Sequence, residues 1–319
     1  MKALLVIDIQ NDFLPGGTLA VSGSDRVIPL INELMPSYEL VVATQDWHPK
    51  DHGSFAANHE GRSPGEVVDL DGLDQILWPV HCVAGSEGAE FPESLHTHRI
   101  DHIVRKGGDT RVDSYSGFFD NGRRRSTGLA GLLKREGVTE VHLVGVATDY
   151  CVKFTALDAV DEGFRTVLVE DACEGVDLKG GDVRMAIEAM ESRGVEICSV
   201  EEVMAETETL YRPVGPEELT KLVQGSFRSW PPRLPEQPIF YPVTNEGYAE
   251  QIAREWNVPD SGSAAVTRFR VKRSFLSKYE RKIVGSREHE EYWIPAEDLD
   301  EFNRNLDGPI EVIKQLQET

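Results

Sequence analysis

The sequence predicts an α/β protein: a three-layer, Rossmann-like fold around a mostly parallel sheet, followed by a smaller α+β domain. Two observations lead there. Up to about residue 205, short continuous apolar runs alternate with amphipathic segments. That is the pattern of parallel strands covered on both faces by crossover helices. From about 206 the composition changes: all four cysteines (Cys82, Cys151, Cys173, Cys198) lie before that point, whereas 13 of the 25 aromatic residues lie after it. We therefore read 1–205 as one domain, 206–215 as a linker and 216–319 as a separate unit, so that 206–319 forms an accessory region.

The elements follow in order. Strands are expected at 2–8, 39–44, 101–105, 141–146, 166–170 and 195–199, and helices at 25–36, 127–136, 149–162 and 180–193. Ser24 or Asp25 is placed to cap the first helix and Thr148 or Asp149 the third. Gly137, Gly163 and Gly194 stand where helices stop. The stretch 46–98 breaks the alternation and is rich in Gly, Pro and His. Long irregular segments in compact domains are usually functional or disordered, and here the histidines favour function. Beyond the Pro-rich run at 230–235, strands are expected at 239–243 and 265–271 and helices at 246–256 and 297–305.

Charge and composition narrow the function. The net charge of −22 argues against nucleic acid or an anionic membrane surface as partner. No apolar run reaches the ~20 residues of a membrane span, and the apolar start is cut by Asp8 rather than forming a leader. Four cysteines without CxxC spacing suit a reducing, cytoplasmic setting. A small-molecule substrate is expected, and a homo-oligomer is compatible with the sequence.

Three residues stand at or just past strand ends: Asp8, Lys106 and Cys151. Strand ends of a parallel sheet converge on one edge, where ligands bind. An acid, a cation and a thiol meeting there make an activated cysteine nucleophile. Cys151 in the first turn of a helix would feel its positive end, which lowers a thiol pKa. Read singly, each has a plainer reading: a buried structural thiol, a carboxylate satisfying loop amides, a surface lysine. A second group is Asp46-Trp47-His48, His52 and His81. Asp-x-His in an extended segment points both side chains to one side. Two imidazoles and a carboxylate suit one divalent metal ion (zinc, iron or manganese) and leave positions open. His52 is a fourth ligand or a group behind the ligands. His59, His96, His98, His102, His142 and His289 are read as ordinary histidines.

Five strings carry a family resemblance: Val6-Ile7-Asp8-Ile9-Gln10-Asn11-Asp12-Phe13, Asp46-Trp47-His48-Pro49, Trp78-Pro79-Val80-His81-Cys82, Arg105-Lys106-Gly107 and Gly145-Val146-Ala147-Thr148-Asp149-Tyr150-Cys151-Val152. In this order they resemble the nicotinamidase family, within the isochorismatase-like cysteine hydrolases. The resemblance covers residues 1–205. It implies an Asp8/Lys106/Cys151 triad that converts nicotinamide to nicotinate and ammonia, as in NAD salvage. It further implies a metal on Asp46, His48 and His81, oxyanion donors at the amides of Ala147 and Cys151, and a cis Val146–Ala147 bond. Phe13 and Trp78 would pack on the ring, with Tyr115 near the pocket. Rival readings are an amidase of the same superfamily acting on a carbamoyl substrate, or a nicotinamide-sensing binding protein.

The tail reads most simply as a domain for oligomerisation or stability. A looser resemblance joins Leu210-Tyr211-Arg212, the aromatic strand at Tyr241 and Glu290-Glu291-Tyr292-Trp293 to small ADP-ribosyltransferase-like domains. It implies an NAD-binding tail.

Overall fold

The structure, a computed structural model, describes residues 1–233, 236–285 and 289–317. The chain forms two compact units, Met1–Val200 and Glu201–Thr319. The division falls at the start of a short helix, slightly before the boundary read from composition.

In the first unit the strands are β1 (Lys2–Ile7), β2 (Leu40–Asp46), β3 (Val67–Leu70), β4 (Leu73–Ile76), β5 (His102–Lys106), β6 (Glu140–Val146), β7 (Arg165–Glu174) and β8 (Glu196–Cys198). Six of them form one sheet in the order β5-β2-β1-β6-β7-β8. Every pairing in it is parallel. From β1 the chain builds outward through β2 and β5, then returns to the other side of β1 with β6. The reversal leaves a crevice beyond the strand ends at β1 and β6, where open α/β sheets place ligands. Register carries the site residues to that edge: Asp46 pairs with Lys106 and Ile7 with Gly145.

The helices are α1 (Val27–Leu34), α2 (Leu129–Arg135), α3 (Lys153–Asp161) and α4 (Asp182–Ser192). Leu129, Leu133, Ala156, Ala159 and Met190 from α2–α4 pack with Ala3, Leu5 and Ile7 of β1. Strand side chains alternate, so Leu4 and Val6 face the other way; they are equally buried. α1 packs against β6 and β7 with Val27, Ile28, Ile31 and Leu34 buried. Gly137, Gly163 and Gly194 hold positive φ after α2, α3 and α4.

Both expected caps turn out otherwise. Ser24 donates its hydroxyl to the Phe13 carbonyl at 2.8 Å rather than accepting from helix amides. Asp149 accepts from the Val176 and Asp177 amides, both at 2.9 Å. In each case a long-range partner outcompetes the local one. Within 46–98 the chain forms a hairpin, β3–β4, closed by Asp71 and Gly72 at positive φ, the Asp-Gly chemistry of a two-residue turn. His142 is not solvated: it is buried on β6 between the Tyr38 hydroxyl and Glu140.

The second unit is α+β. Its strands are β9 (Thr207–Val214), β10 (Ile239–Phe240), β11 (Ser263–Lys272), β12 (Arg281–Ile283), β13 (Glu290–Tyr292), β14 (Ile294–Pro295) and β15 (Glu311–Gln317). β15, β11 and β9 make an antiparallel sheet in that order. The segment read as a linker is therefore a strand, because it buries Leu210 and Val214 against Ala265 and Phe269. Trp230, Phe240, Phe269 and Phe302 pack together in its core. Of the proline-rich run, Leu234 and Pro235 lie outside the described residues. Among the described residues no helix is long and apolar enough to cross a membrane.

Candidate active site and metal centre

Asp8 follows β1 at φ 48°, a left-handed conformation uncommon for a residue with a Cβ. The turn puts its carboxylate into the protein, fully buried. Thr44 donates its hydroxyl to Asp8 Oδ1 at 2.6 Å and accepts the Asp8 amide at 3.2 Å. Lys106, last in β5, sends a wholly buried side chain to the same place. Its Nζ lies 2.9 Å from Asp8 Oδ2, 2.6 Å from Asp46 Oδ1, 2.9 Å from the Ser114 carbonyl and 3.5 Å from Cys151 Sγ. Cys151 sits in a wide turn, Thr148–Val152, that leads into α3. Its sulfur lies within 4.8 Å of a carboxylate oxygen of Asp8.

The Val146–Ala147 bond is cis. Just before it, Gly145 has φ 117°, and a Cβ there would lie 2.2 Å from the Ile7 carbonyl oxygen. Only glycine lets β6 pass this close to the end of β1.

Burial sets the electrostatics. It pushes the Cys151 thiol well above its ordinary value, and Asp8 and Asp46 add to this while Lys106 opposes it. The expectation of a helix-lowered thiol therefore fails: loss of solvation outweighs the nearby cation. Burial also raises Asp8 despite Lys106. For Asp46 burial works upward too, but Lys106 and His48 overcome it and hold the carboxyl below the usual range. Lys106 is kept charged by Asp46 and Asp8 against its burial.

Asp46, His48 and His81 bring three ligand atoms within metal-binding reach. Asp46 Oδ2 is 3.6 Å from His48 Nε2 and 4.0 Å from His81 Nε2. Their tautomers are fixed from behind. His48 Nδ1 is 2.8 Å from the Gly107 carbonyl and His81 Nδ1 is 2.8 Å from the Pro79 carbonyl. A carbonyl only accepts, so each Nδ1 carries the proton and each Nε2 offers a lone pair. His48 Nε2 is buried without a hydrogen-bond partner, an arrangement costly for a polar atom unless something binds it. These residues fit a divalent cation.

His52 differs. Its Nδ1 lies 2.7 Å from the Ser54 hydroxyl and 3.2 Å from the Ser54 amide nitrogen. Burial lowers its pKa and keeps the ring neutral. Its Nε2 is buried without a hydrogen-bond partner, and His48, His52 and Asp113 bring a second set of donor atoms within reach of one another.

Phe13, Trp78, Tyr115, Asp46, His81, Ala147 and Cys151 line one cavity, joined by Leu19, Val21, Asp113, Tyr150 and Val176. Tyr115 is held by Gln75 and by the Trp78 indole N–H, at 3.0 and 3.1 Å. Three supporting residues escaped sequence reasoning. Gln10 grips both ends of the Asp46 peptide unit, accepting its amide and donating to its carbonyl, each at 2.8 Å. Asp113 is buried beside His48 and His52. Tyr150 crosses Trp78 edge-on at 5.1 Å between centroids. Gln10 and Tyr150 lie inside the strings quoted above; for Asp113 no local signal exists.

Comparison with known proteins identifies the family of the first unit. The Isochorismatase domain family matches residues 2–202. A curated nicotinamidase of Acinetobacter baylyi is 44% identical over 202 residues, covering 63% of this chain and 94% of the relative. A solved Acinetobacter baumanii nicotinamidase/pyrazinamidase is 47% identical with a TM-score of 0.62, covering 64% of this chain and 98% of that one. Yeast nicotinamidase bound to the inhibitor nicotinaldehyde is 32% identical with a TM-score of 0.59, over 62% of this chain and all of that one.

Proposed function

Since the chain belongs to the isochorismatase family, we propose that its first unit is an amidohydrolase converting nicotinamide to nicotinate and ammonia. The observation that carries this reading is the meeting of the Cys151 thiol, the Lys106 ammonium at 3.5 Å and the Asp8 carboxylate under a ring-lined cavity. The names of the relatives point to the substrate.

The chemistry follows from the residues. The thiol rests protonated, and Asp8, close beside it and with a raised pKa, is the base that removes the proton as sulfur attacks the amide carbon. The C–S bond forms as the carbonyl π bond opens onto oxygen. The backbone amides of Ala147 and Cys151 are the donors for that oxyanion. Asp8 then passes its proton to nitrogen, the C–N bond breaks, ammonia leaves and a thioester remains. Water, deprotonated by Asp8, attacks the thioester carbon, and the C–S bond breaks to give nicotinate and the thiol. Lys106 stays charged throughout and holds Asp8 in place.

Phe13 and Trp78 would face the pyridine ring, with Tyr115 and Tyr150 closing the slot. Asp46, His48 and His81 would hold the divalent cation; zinc, iron and manganese all accept this donor set. Bound there, such an ion would supply Lewis-acid chemistry beside the ring-lined cavity that Asp46 and His81 share with Cys151. A coupled ammonia assay tests the assignment. Nicotinamide should be turned over, pyrazinamide also, and carbamoyl compounds far less; preference for a carbamoyl substrate would refute it.

A further inference from the structure

The ring-lined cavity beside Cys151 has a neighbour. An outer recess of about 330 Å³ adjoins it, at the lower end of the range of small-molecule sites. Two rings, Tyr115 and Tyr150, line both spaces and so form the partition between them. The hydrolysis of a single-ring amide makes no use of the space beyond.

The two rings are held differently. The Tyr115 hydroxyl accepts from Gln75 at 3.0 Å and from the Trp78 indole at 3.1 Å. Phe154 leans on the Tyr115 ring at 5.6 Å between centroids, 30° from parallel. The Tyr150 hydroxyl has no hydrogen-bond partner among the described residues, and its ring is kept in place by edge contacts with Trp78 at 5.1 Å and Tyr115 at 5.6 Å. The Tyr150 amide donates to the Ala147 carbonyl at 3.0 Å, which fixes the backbone. Only the side chain is left to turn, between staggered rotamers. Burial raises the pKa of Tyr150 to about 12, and the two acids that add to this, Asp149 and Asp182, both line the recess. The hydroxyl end of the ring thus lies toward the outer space.

The recess suits an uncharged ring. Ile76, Phe154, Met185 and Ala186 give it apolar wall, with Phe154 38% and Met185 54% exposed. A flat aromatic group laid there would cover that surface. Asp74, Asp149 and Asp182 stand against Lys153 in the same lining, a balance that disfavours an anion.

From this arrangement we infer that Tyr150 determines specificity: it confines the reaction cavity to one aromatic ring, and a smaller residue in its place opens the recess to the second ring of an uncharged bicyclic aromatic amide. On the reading of the first unit as an aromatic amidohydrolase, on which this rests, Tyr150 sets the upper size of the substrate.

The test uses the full chain with nicotinamide, quinoline-3-carboxamide and isoquinoline-4-carboxamide, the last two carrying the second ring on different edges of the pyridine. Ammonia release and calorimetric binding are measured for each. The parent should favour nicotinamide over both bicyclic amides by ~100-fold or more. Tyr150→Ala should shift that ratio toward at least one bicyclic amide by ~10-fold or more. Tyr150→Phe, which keeps the ring, should leave the ratio as in the parent. Tyr150→Leu takes the place of Tyr150→Ala if that variant does not fold. Met185→Trp fills the recess: added to Tyr150→Ala it should remove the gain, and in the parent it should leave nicotinamide turnover within about twofold. A parent that takes a bicyclic amide as readily as nicotinamide, an unchanged ratio in Tyr150→Ala, or a gain that survives Met185→Trp would overturn the proposal. Binding reports the same ratios without turnover. A parent that binds nicotinamide but releases no ammonia therefore refutes the hydrolysis and leaves Tyr150 to be judged on binding, whereas a parent that binds none of the three amides overturns both.

Discussion

Lys106 Nζ lies 2.6 Å from Asp46 Oδ1, while the other oxygen of the same carboxylate faces His48 and His81. Asp46 thus divides itself between the ammonium beside Cys151 and the imidazoles of the candidate metal centre. The two halves of the site cannot shift independently.

Lys106→Met removes the only lysine or arginine, among the described residues, within this cluster of buried acids and should show that dependence. Asp8 and Asp46 would face each other without a counter-charge. The expected cost is about 3–5 kcal/mol of folding stability, read as a lower urea midpoint, together with loss of ammonia release. Stability equal to the parent would contradict the arrangement described.

Cys151→Ala should lower ammonia release from nicotinamide by about 10⁴-fold or more. A small side chain in the same turn leaves the packing intact, so circular dichroism and thermal unfolding should stay close to the parent. Turnover retained by this variant would remove Cys151 from the mechanism.

The metal reading is checked through a residue that is not a ligand. Gly107 has φ 71°, and a Cβ there would stand 2.3 Å from His48 Cε1. Gly107→Ala should displace the imidazole and weaken metal affinity by about 10–100-fold, measured by chelator competition. The parent should hold one divalent ion per chain by elemental analysis and lose activity on chelation. His52→Gln should weaken metal binding less than His81→Gln does; the reverse order would make His52 a ligand.

Glu140 provides a pH test away from the site. The His142 hydrogen bond, with help from Lys2 and Arg165, outweighs burial and lowers its carboxyl to about 2. A depressed carboxyl contributes stability above its unfolded pKa of about 4.5, and that stability is lost as pH falls toward 2. Allowing for solvent screening, Glu140→Gln should cost about 1–2 kcal/mol at pH 7. The gap between parent and variant should narrow as pH falls below about 4.5 and close near pH 2, as read by denaturant titration.

The sheet was legible because β1, β2 and β6 are buried on both faces and read as unbroken apolar runs. The strand-end acids and the lysine stood out against that background. What stayed hidden depends on partners distant in sequence. Asp149 looks like a helix cap until the amides of Val176 and Asp177 arrive. The thiol's raised pKa comes from enclosure by several elements, which no local pattern records. Strand β9 alternates too weakly in Thr207–Val214 to separate it from a linker before β11 lies beside it.

The buried, neutral Cys151 has a bearing on oxidative damage. Peroxide attacks thiolates, and a thiol that keeps its proton until a base takes it during the reaction offers little of that form. Many cysteine nucleophiles are ionised at rest and are among the first groups oxidised. Here the price of readiness is shifted to the moment of attack, and the resting side chain is chemically quiet.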